Sequence, residues 1–160
     1  MPVVDPTELR FYRCTSWEES DAHGGTINTD SEIISGNLNN IFDDVSNSER
    51  VNGMIDYRKI YVRNNNAGTW SNVLVWINQL TNATNDEIYI ALGTDGGTKS
   101  DEGENLTYVQ PTSAGHPDVL SIGDLAQYES QSIWIKRIVT AGGMGYTTNT
   151  FQIAAESIMG

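Results

Sequence analysis

At 160 residues the chain has the length of one domain and can bury about two-thirds of its surface without a disulfide or metal staple. Twenty-one acids against nine bases give a formal charge of -12, which repels phosphate backbones and anionic bilayers and so argues against nucleic-acid and membrane partners. Cys14 is the only cysteine, which excludes an internal disulfide and a cysteine metal cluster, and the fourteen aromatic residues argue against wholesale disorder.

The opening MPVVDPTELR has no basic region followed by an apolar core, so no secretory signal is expected, and residues 1–8 read as a flexible N-terminal arm. ELRFYRCTS (Glu8 to Ser16) alternates and reads as the first strand, with Cys14 as a small buried residue. The bend that follows, SDAHGGTIN, reads as a glycine turn. GNLNNIFDDVSNSERVNG places Leu38, Ile41, Phe42 and Val45 on one face of a short helix. Within it, Ser46 and Glu49 match a capping box and Gly53 marks an end.

YRKIYVRN (Tyr57 to Asn64) is a strand with Ile60 and Val62 on one face and Tyr57, Lys59, Tyr61 and Arg63 on the other. SNVLVWINQL (Ser71 to Leu80) is apolar on both faces, as expected of a central strand covered twice or lying at an interface. Further strands are expected at DEIYIALG (Asp86 to Gly93), NLTYVQP (Asn105 to Pro111), QSIWIKRIVTAG (Gln131 to Gly142) and NTFQIAAESI (Asn149 to Ile158), the last with Phe151, Ile153 and Ala155 inward. Gly, Asn, Asp and Pro divide these runs. The expected fold is all-β: one antiparallel β-sandwich, Ig-like or jelly-roll-like, of seven or eight strands over residues 1–160, with one or two short helical turns. No apolar run approaches the roughly 18 residues of a membrane helix.

Candidate sites are few. His23 beside Asp21 would need a nucleophile to act as a base, and no Gly-x-Ser-x-Gly elbow supplies one. His116, the other histidine, sits in a proline turn. His23 therefore reads as part of the bend, with Gly24 and Gly25 the residues that matter, and His23→Ala is expected to change little. The loop from Asp95 to Glu104 carries Asp95, Asp101, Glu102 and Glu104; calcium takes such oxygens, but the spacing does not match an EF-hand and a solvated loop is the default. AGGMGY (Ala141 to Tyr146) lacks the Lys-Ser/Thr of a phosphate loop and reads as a wide turn. Asn82-Ala83-Thr84 and Asn105-Leu106-Thr107 match glycosylation sequons without a secretory signal to use them.

Trp76 and Trp134 fall inside strands, whereas Trp17 and Trp70 at strand edges could stack on sugar. Five of the nine bases lie in YRKIYVR and IKRIV, where pairing with the chain's own acids is the expected use. No catalytic, cofactor-binding or metal-binding residue is assigned.

Four features together resemble a family of small virion structural proteins of tailed bacteriophages. They are the His23-Gly24-Gly25 turn, the Leu38-Asn39-x-x-Phe42-Asp43-x-Val45 segment, the Tyr57-Arg58-Lys59-x-Tyr61-Val62-x-Asn64 strand and the late Ile133-Trp134-Ile135-Lys136-Arg137 strand before a glycine turn. The resemblance spans Ser16 to Gly143 and departs from the pattern where IKRIVTAGG lacks a proline before its glycines. It implies a β-rich particle component that decorates or cements the capsid shell without catalysis. Its partner would be the major capsid protein or another virion protein, and it would act as a homo-oligomer, a trimer by preference, at the virion surface. It carries over no catalytic residue. A tail, neck or baseplate component, or a carbohydrate-binding module displayed on the particle, is the alternative.

Overall fold

The computed structural model describes residues 9–36, 40–81, 83, 85–142 and 150–157. The N-terminal arm, Leu38 and most of the AGGMGY turn lie outside them. Among the described residues eight strands form two antiparallel sheets. They are β1 (Leu9–Ser16), β2 (Gly24–Glu32), β3 (Met54–Asn64), β4 (Trp70–Gln79), β5 (Asp86–Leu92), β6 (Leu120–Leu125), β7 (Ser130–Val139) and β8 (Gln152–Ser157). The larger sheet runs β2-β1-β3-β7-β5 and the smaller β6-β4-β8. This is the expected all-β sandwich.

The core lies between the sheets and follows from the period of two along each strand. Ile60 and Val62 of β3, Ile133 and Ile135 of β7, and Ile88 and Ile90 of β5 face Val73, Val75 and Ile77 of β4, with Leu120, Leu125 and Trp70 completing the layer. All are buried, each worth about 1.5–3 kcal/mol relative to exposure. Phe151, Ile153 and Ala155 pack against this core as expected. One end is closed by Phe42, whose ring lies 5.4 Å from the Arg58 guanidinium and 5.6 Å from that of Arg137. Arg137 grips Asp86 through Nη2 at 2.6 Å and Nε at 3.0 Å.

Four expectations need correction. GGTINTDSE is strand β2, not a bend: it is an edge strand, polar apart from Ile27, whose register with β1 shifts twice. LSIGDL is a second unexpected edge strand, β6, with Gly123 at φ 88. Asn105 to Pro111 is not a strand of either sheet. Val109 exchanges backbone bonds with Ile90, and the Pro111 carbonyl accepts from Ile77 N at 2.8 Å, so this segment ties the two sheets together. The helix α1 is confined to Asn47–Asn52, with Ser46 and Glu49 forming the capping box and Gly53 the C-cap. Ile41, Phe42 and Val45 precede it in irregular chain, where the Asn and Asp side chains around them compete for backbone bonds.

Candidate functional site

The outer face of the larger sheet carries the chemistry. In β3 the period of two turns Tyr57, Lys59 and Tyr61 away from the core, and the register sets Lys59 opposite Trp134 of β7. The loop after β5 folds back over this face, with a 3-10 turn at Gly103–Asn105, and acts as a lid. It lies close enough that a Cβ at Gly103 would meet the Trp134 ring at 2.8 Å.

Beneath the lid Lys59 is wholly buried. Its Nζ donates to the carbonyls of Thr94 at 2.7 Å and Gly97 at 2.9 Å, and lies 3.6 Å from Glu102 Oε1. Glu102 also accepts from Trp134 Nε1 at 2.6 Å, from Thr94 N at 2.9 Å and from the Thr94 hydroxyl. Burial pulls the Lys59 ammonium below its ordinary value, and the Glu102 charge opposes that pull. Burial pushes the Glu102 carboxyl up, but its donors and Lys59 outweigh this and hold it below the usual range. The pair is therefore ionised and held in place by neutral donors and acceptors around it.

His23 is the second member and is also wholly buried. Its Nε2 accepts from Lys59 N at 2.8 Å, so the neutral ring carries its proton on Nδ1, which has no partner among the described residues. Trp17 and Trp134 meet it edge-on at 5.0 and 5.9 Å. Burial first, then the Arg58 charge, push its pKa down to about 4, so it is neutral at pH 7. The backbone stitches this segment to the lid: Gly25 N donates to Gly97 O, Lys99 N to His23 O and Ser100 N to Asp21 O. Gly24, at φ 135, permits that approach, because a Cβ there would stand 2.4 Å from Gly97 O. The structure thus gives His23 a central place, against its expected spectator role. The glycines matter as expected, but for the approach of two backbones and not for a bend.

Cys14 Sγ lies 3.7 Å from His23 Nε2. A reactive thiol needs a lowered pKa and access. Here burial pushes the thiol up to about 11, and Nε2 is already engaged by the Lys59 amide. Cys14 is structural, as its strand position suggested.

The other candidates separate. Three of the acids from Asp95 to Glu104 serve the lid itself: Asp95 Oδ1 lies 3.1 Å from Tyr61 Oη, Asp101 accepts from Thr98 N at 2.6 Å, and Glu102 is half-buried beside Lys59. Among the described residues no three such side chains are grouped to hold a metal, and the loop is anchored on the sheet at Glu102 and Gly103 while Asp95, Asp101 and Glu104 stay exposed. His116 is remote from His23, its Nδ1 accepting from Asp118 N in its own turn. Trp70 is 5% exposed in the core, because it opens β4 facing inward. Trp17 is half-buried, with the Arg13 guanidinium 4.8 Å over its ring, so the two form no exposed platform. Internal pairing of bases is seen at Arg58 with Asp56 and Glu19, at Lys59 and at Arg137. Reasoning from sequence missed that Glu102 and Lys59 meet; the signal available was a lysine opposite a tryptophan on adjacent strands.

Compared with known protein families, curated proteins and solved structures, the chain has no match.

Proposed function

We propose that the chain is a structural protein of a tailed-bacteriophage particle, binding the capsid shell as a decoration or cement protein and doing no catalysis. The observation that carries this reading is the state of its buried ionisable groups. Lys59, Glu102 and the acceptor nitrogen of His23 are all engaged by the chain itself: the first two tie the lid to the sheet, and His23 ties the segment before β2 to β3. Such a cluster serves rigidity. The two strand motifs of the phage resemblance, Tyr57 to Asn64 and Ile133 to Arg137, also support it, since they lie on adjacent strands in one register, with Tyr57 opposite Lys136 and Lys59 opposite Trp134. A protein that coats a shell must keep its shape without disulfides and bury a patch on its partner, about 1,200–2,000 Å² in total for a specific stable interface.

The test is to mix the purified chain with phage shells, mature and expanded, and to sediment them. Co-sedimentation to saturation, with a raised melting temperature of the shells, is expected. Light scattering should give the mass of a closed homo-oligomer, a trimer by preference. No binding to shells in either form overturns the reading.

A further inference from the structure

Beside the lid, the outer face of the larger sheet continues as a row of three side chains in register: Tyr57 on β3, Lys136 on β7 and Tyr89 on β5. Tyr108, from the far side of the lid, closes it, its ring 5.8 Å from that of Tyr57 and its hydroxyl fixed on Gly103 O at 2.7 Å. Two ammonium groups converge here. Lys136 Nζ lies 5.9 Å from the Tyr57 ring and 5.5 Å from the Tyr108 ring, and Lys99 Nζ lies 6.0 Å from the Tyr57 ring.

Arg10, Arg58, Lys59 and Arg137 each pair with a carboxylate, and Arg13 and Arg63 each donate to a backbone carbonyl and lie over a single aromatic ring. Lys99 and Lys136 differ in meeting over one tyrosine ring, that of Tyr57. Among the described residues no carboxylate comes within 4.0 Å of Lys99 or Lys136, although acids outnumber bases by more than two to one. The next row along the same face sets Ile55 opposite Ile138, with Glu87 of β5 on the other side of Ile138, and Ile55 is 54% exposed. Rows on one face of a strand are spaced by two residues, about 7 Å, which is the spacing of side chains i and i+2 of an extended peptide.

We infer that this face docks an extended acidic segment of a partner protein, a carboxylate seated between Lys99 and Lys136 over the tyrosine rings and an apolar side chain two residues away against Ile55 and Ile138. The rim selects against longer polyanions. Glu87 accepts from Tyr89 Oη at 2.7 Å, and Glu104 stands near enough to Tyr57 to add to burial in raising its pKa. Together with the net charge of -12, these acids repel a continuous phosphate backbone while leaving room for one or two carboxylates. The inference rests on the reading of the chain as a binding protein, and the shell reading supplies only the partner's name.

The test is an NMR titration of the full chain with a synthetic six-residue peptide alternating glutamate with serine and leucine. Saturable shifts confined to Tyr57, Tyr108, Lys99, Lys136 and Ile55 are expected, weakened by salt. Affinity should fall about tenfold or more when the peptide's glutamates become glutamines or when the protein carries K99Q and K136Q. The unchanged melting temperature of that double variant shows that its fold is intact. Equal affinity for the double variant, or shifts scattered over the surface, overturns the inference. Tighter binding of an oligothymidylate at the same residues, or self-association abolished by K99Q and K136Q, overturns it in favour of nucleic acid or a second copy. Peptide binding without shell binding sinks the capsid reading alone; shell binding retained by a variant that has lost the peptide sinks the docking face as the shell contact.

Discussion

On one face of β3, Ile60 and Val62 are buried among isoleucines and valines from both sheets; on the other face Lys59 and Tyr61 are buried as completely, under a loop. The two regions share a strand and differ in what burial requires. Between the sheets the attraction is non-directional and any well-shaped apolar side chain satisfies it. Under the lid each buried polar atom must meet a specific partner, so removing one member leaves the others costly. The apolar region sets the fold, while the polar region fixes one loop on one place.

The sharpest way to break this comparison is Glu102→Gln. The variant keeps an acceptor for Trp134 Nε1 but leaves the Lys59 ammonium buried without its counter-charge. Breaking a buried pair from one side costs about 3–5 kcal/mol, on a par with the roughly 2–5 kcal/mol of Ile135→Ala in the apolar core. Adding Lys59→Met to Glu102→Gln should restore most of the loss, because a buried pair can be replaced by apolar groups of similar volume. No second change rescues the Ile135 cavity so simply. Urea midpoints of the four proteins decide it, and a loss under about 1 kcal/mol for Glu102→Gln would put the pair among ordinary surface bridges.

Acid should act on the polar region first. His23 is neutral in the fold because its pKa is pushed from 6.5 down to about 4, whereas the unfolded chain takes up the proton near 6.5. Its contribution is therefore complete above pH 6.5 and is lost as pH falls from 6.5 towards 4. The ceiling is roughly 3 kcal/mol. Glu102, held below its usual value, adds a further loss only beneath about pH 4.5. Stability measured at pH 7.5 and pH 4.5 should drop more for the native chain than for His23→Gln, whose side-chain carbonyl can still accept from Lys59 N. Equal drops would remove His23 as the cause.

The difference in logic explains what could be read from the sequence. Ile60, Val62, Ile133, Ile135, Ile88 and Ile90 announce their strands, because alternation is what two apolar layers demand. Strand β2 carries no such signal: it is an edge, mostly polar, held by β1 on one side and by the lid at Gly24. Burial of Lys59 is equally silent, since lysine is ordinarily exposed and its partners Glu102, Thr94 and Gly97 lie far along the chain. His23 looked like a spectator because neither of its neighbours in sequence is its partner. Trp70 looked like an edge residue because the first position of a strand can face either way.

A steric probe comes next in size. Gly24→Ala places a Cβ 2.4 Å from Gly97 O at φ 135, so the lid backbone must move. Overpacking costs about 1–3 kcal/mol. Gly36→Ala is the control, also at a positive φ (92) but with nothing within 4 Å, and should cost only the backbone strain. Thermal melts separate them, and equal losses would show that conformation alone, not the lid's approach, demands glycine at residue 24.

The smallest effect compares the two faces atom for atom. Tyr61→Phe and Ile60→Val each remove one heavy atom from neighbouring positions of β3, one under the lid and one in the core. The Tyr61 hydroxyl donates to Gly25 O at 2.7 Å and accepts from Gly96 N at 3.4 Å. Its loss should cost about 1 kcal/mol, and Ile60→Val a similar 0.5–1.5 kcal/mol. Global stability will scarcely tell them apart, but amide hydrogen exchange will. Tyr61→Phe should speed exchange at Gly25, Gly96 and Lys99 selectively, because those amides depend on the lid staying closed. Ile60→Val should raise exchange across β3 and β7 together, through the global opening, and leave the lid's relative protection unchanged. If both variants gave the same exchange pattern, the lid and the core would open as one unit, and the two faces of β3 would differ in chemistry without differing in cooperativity.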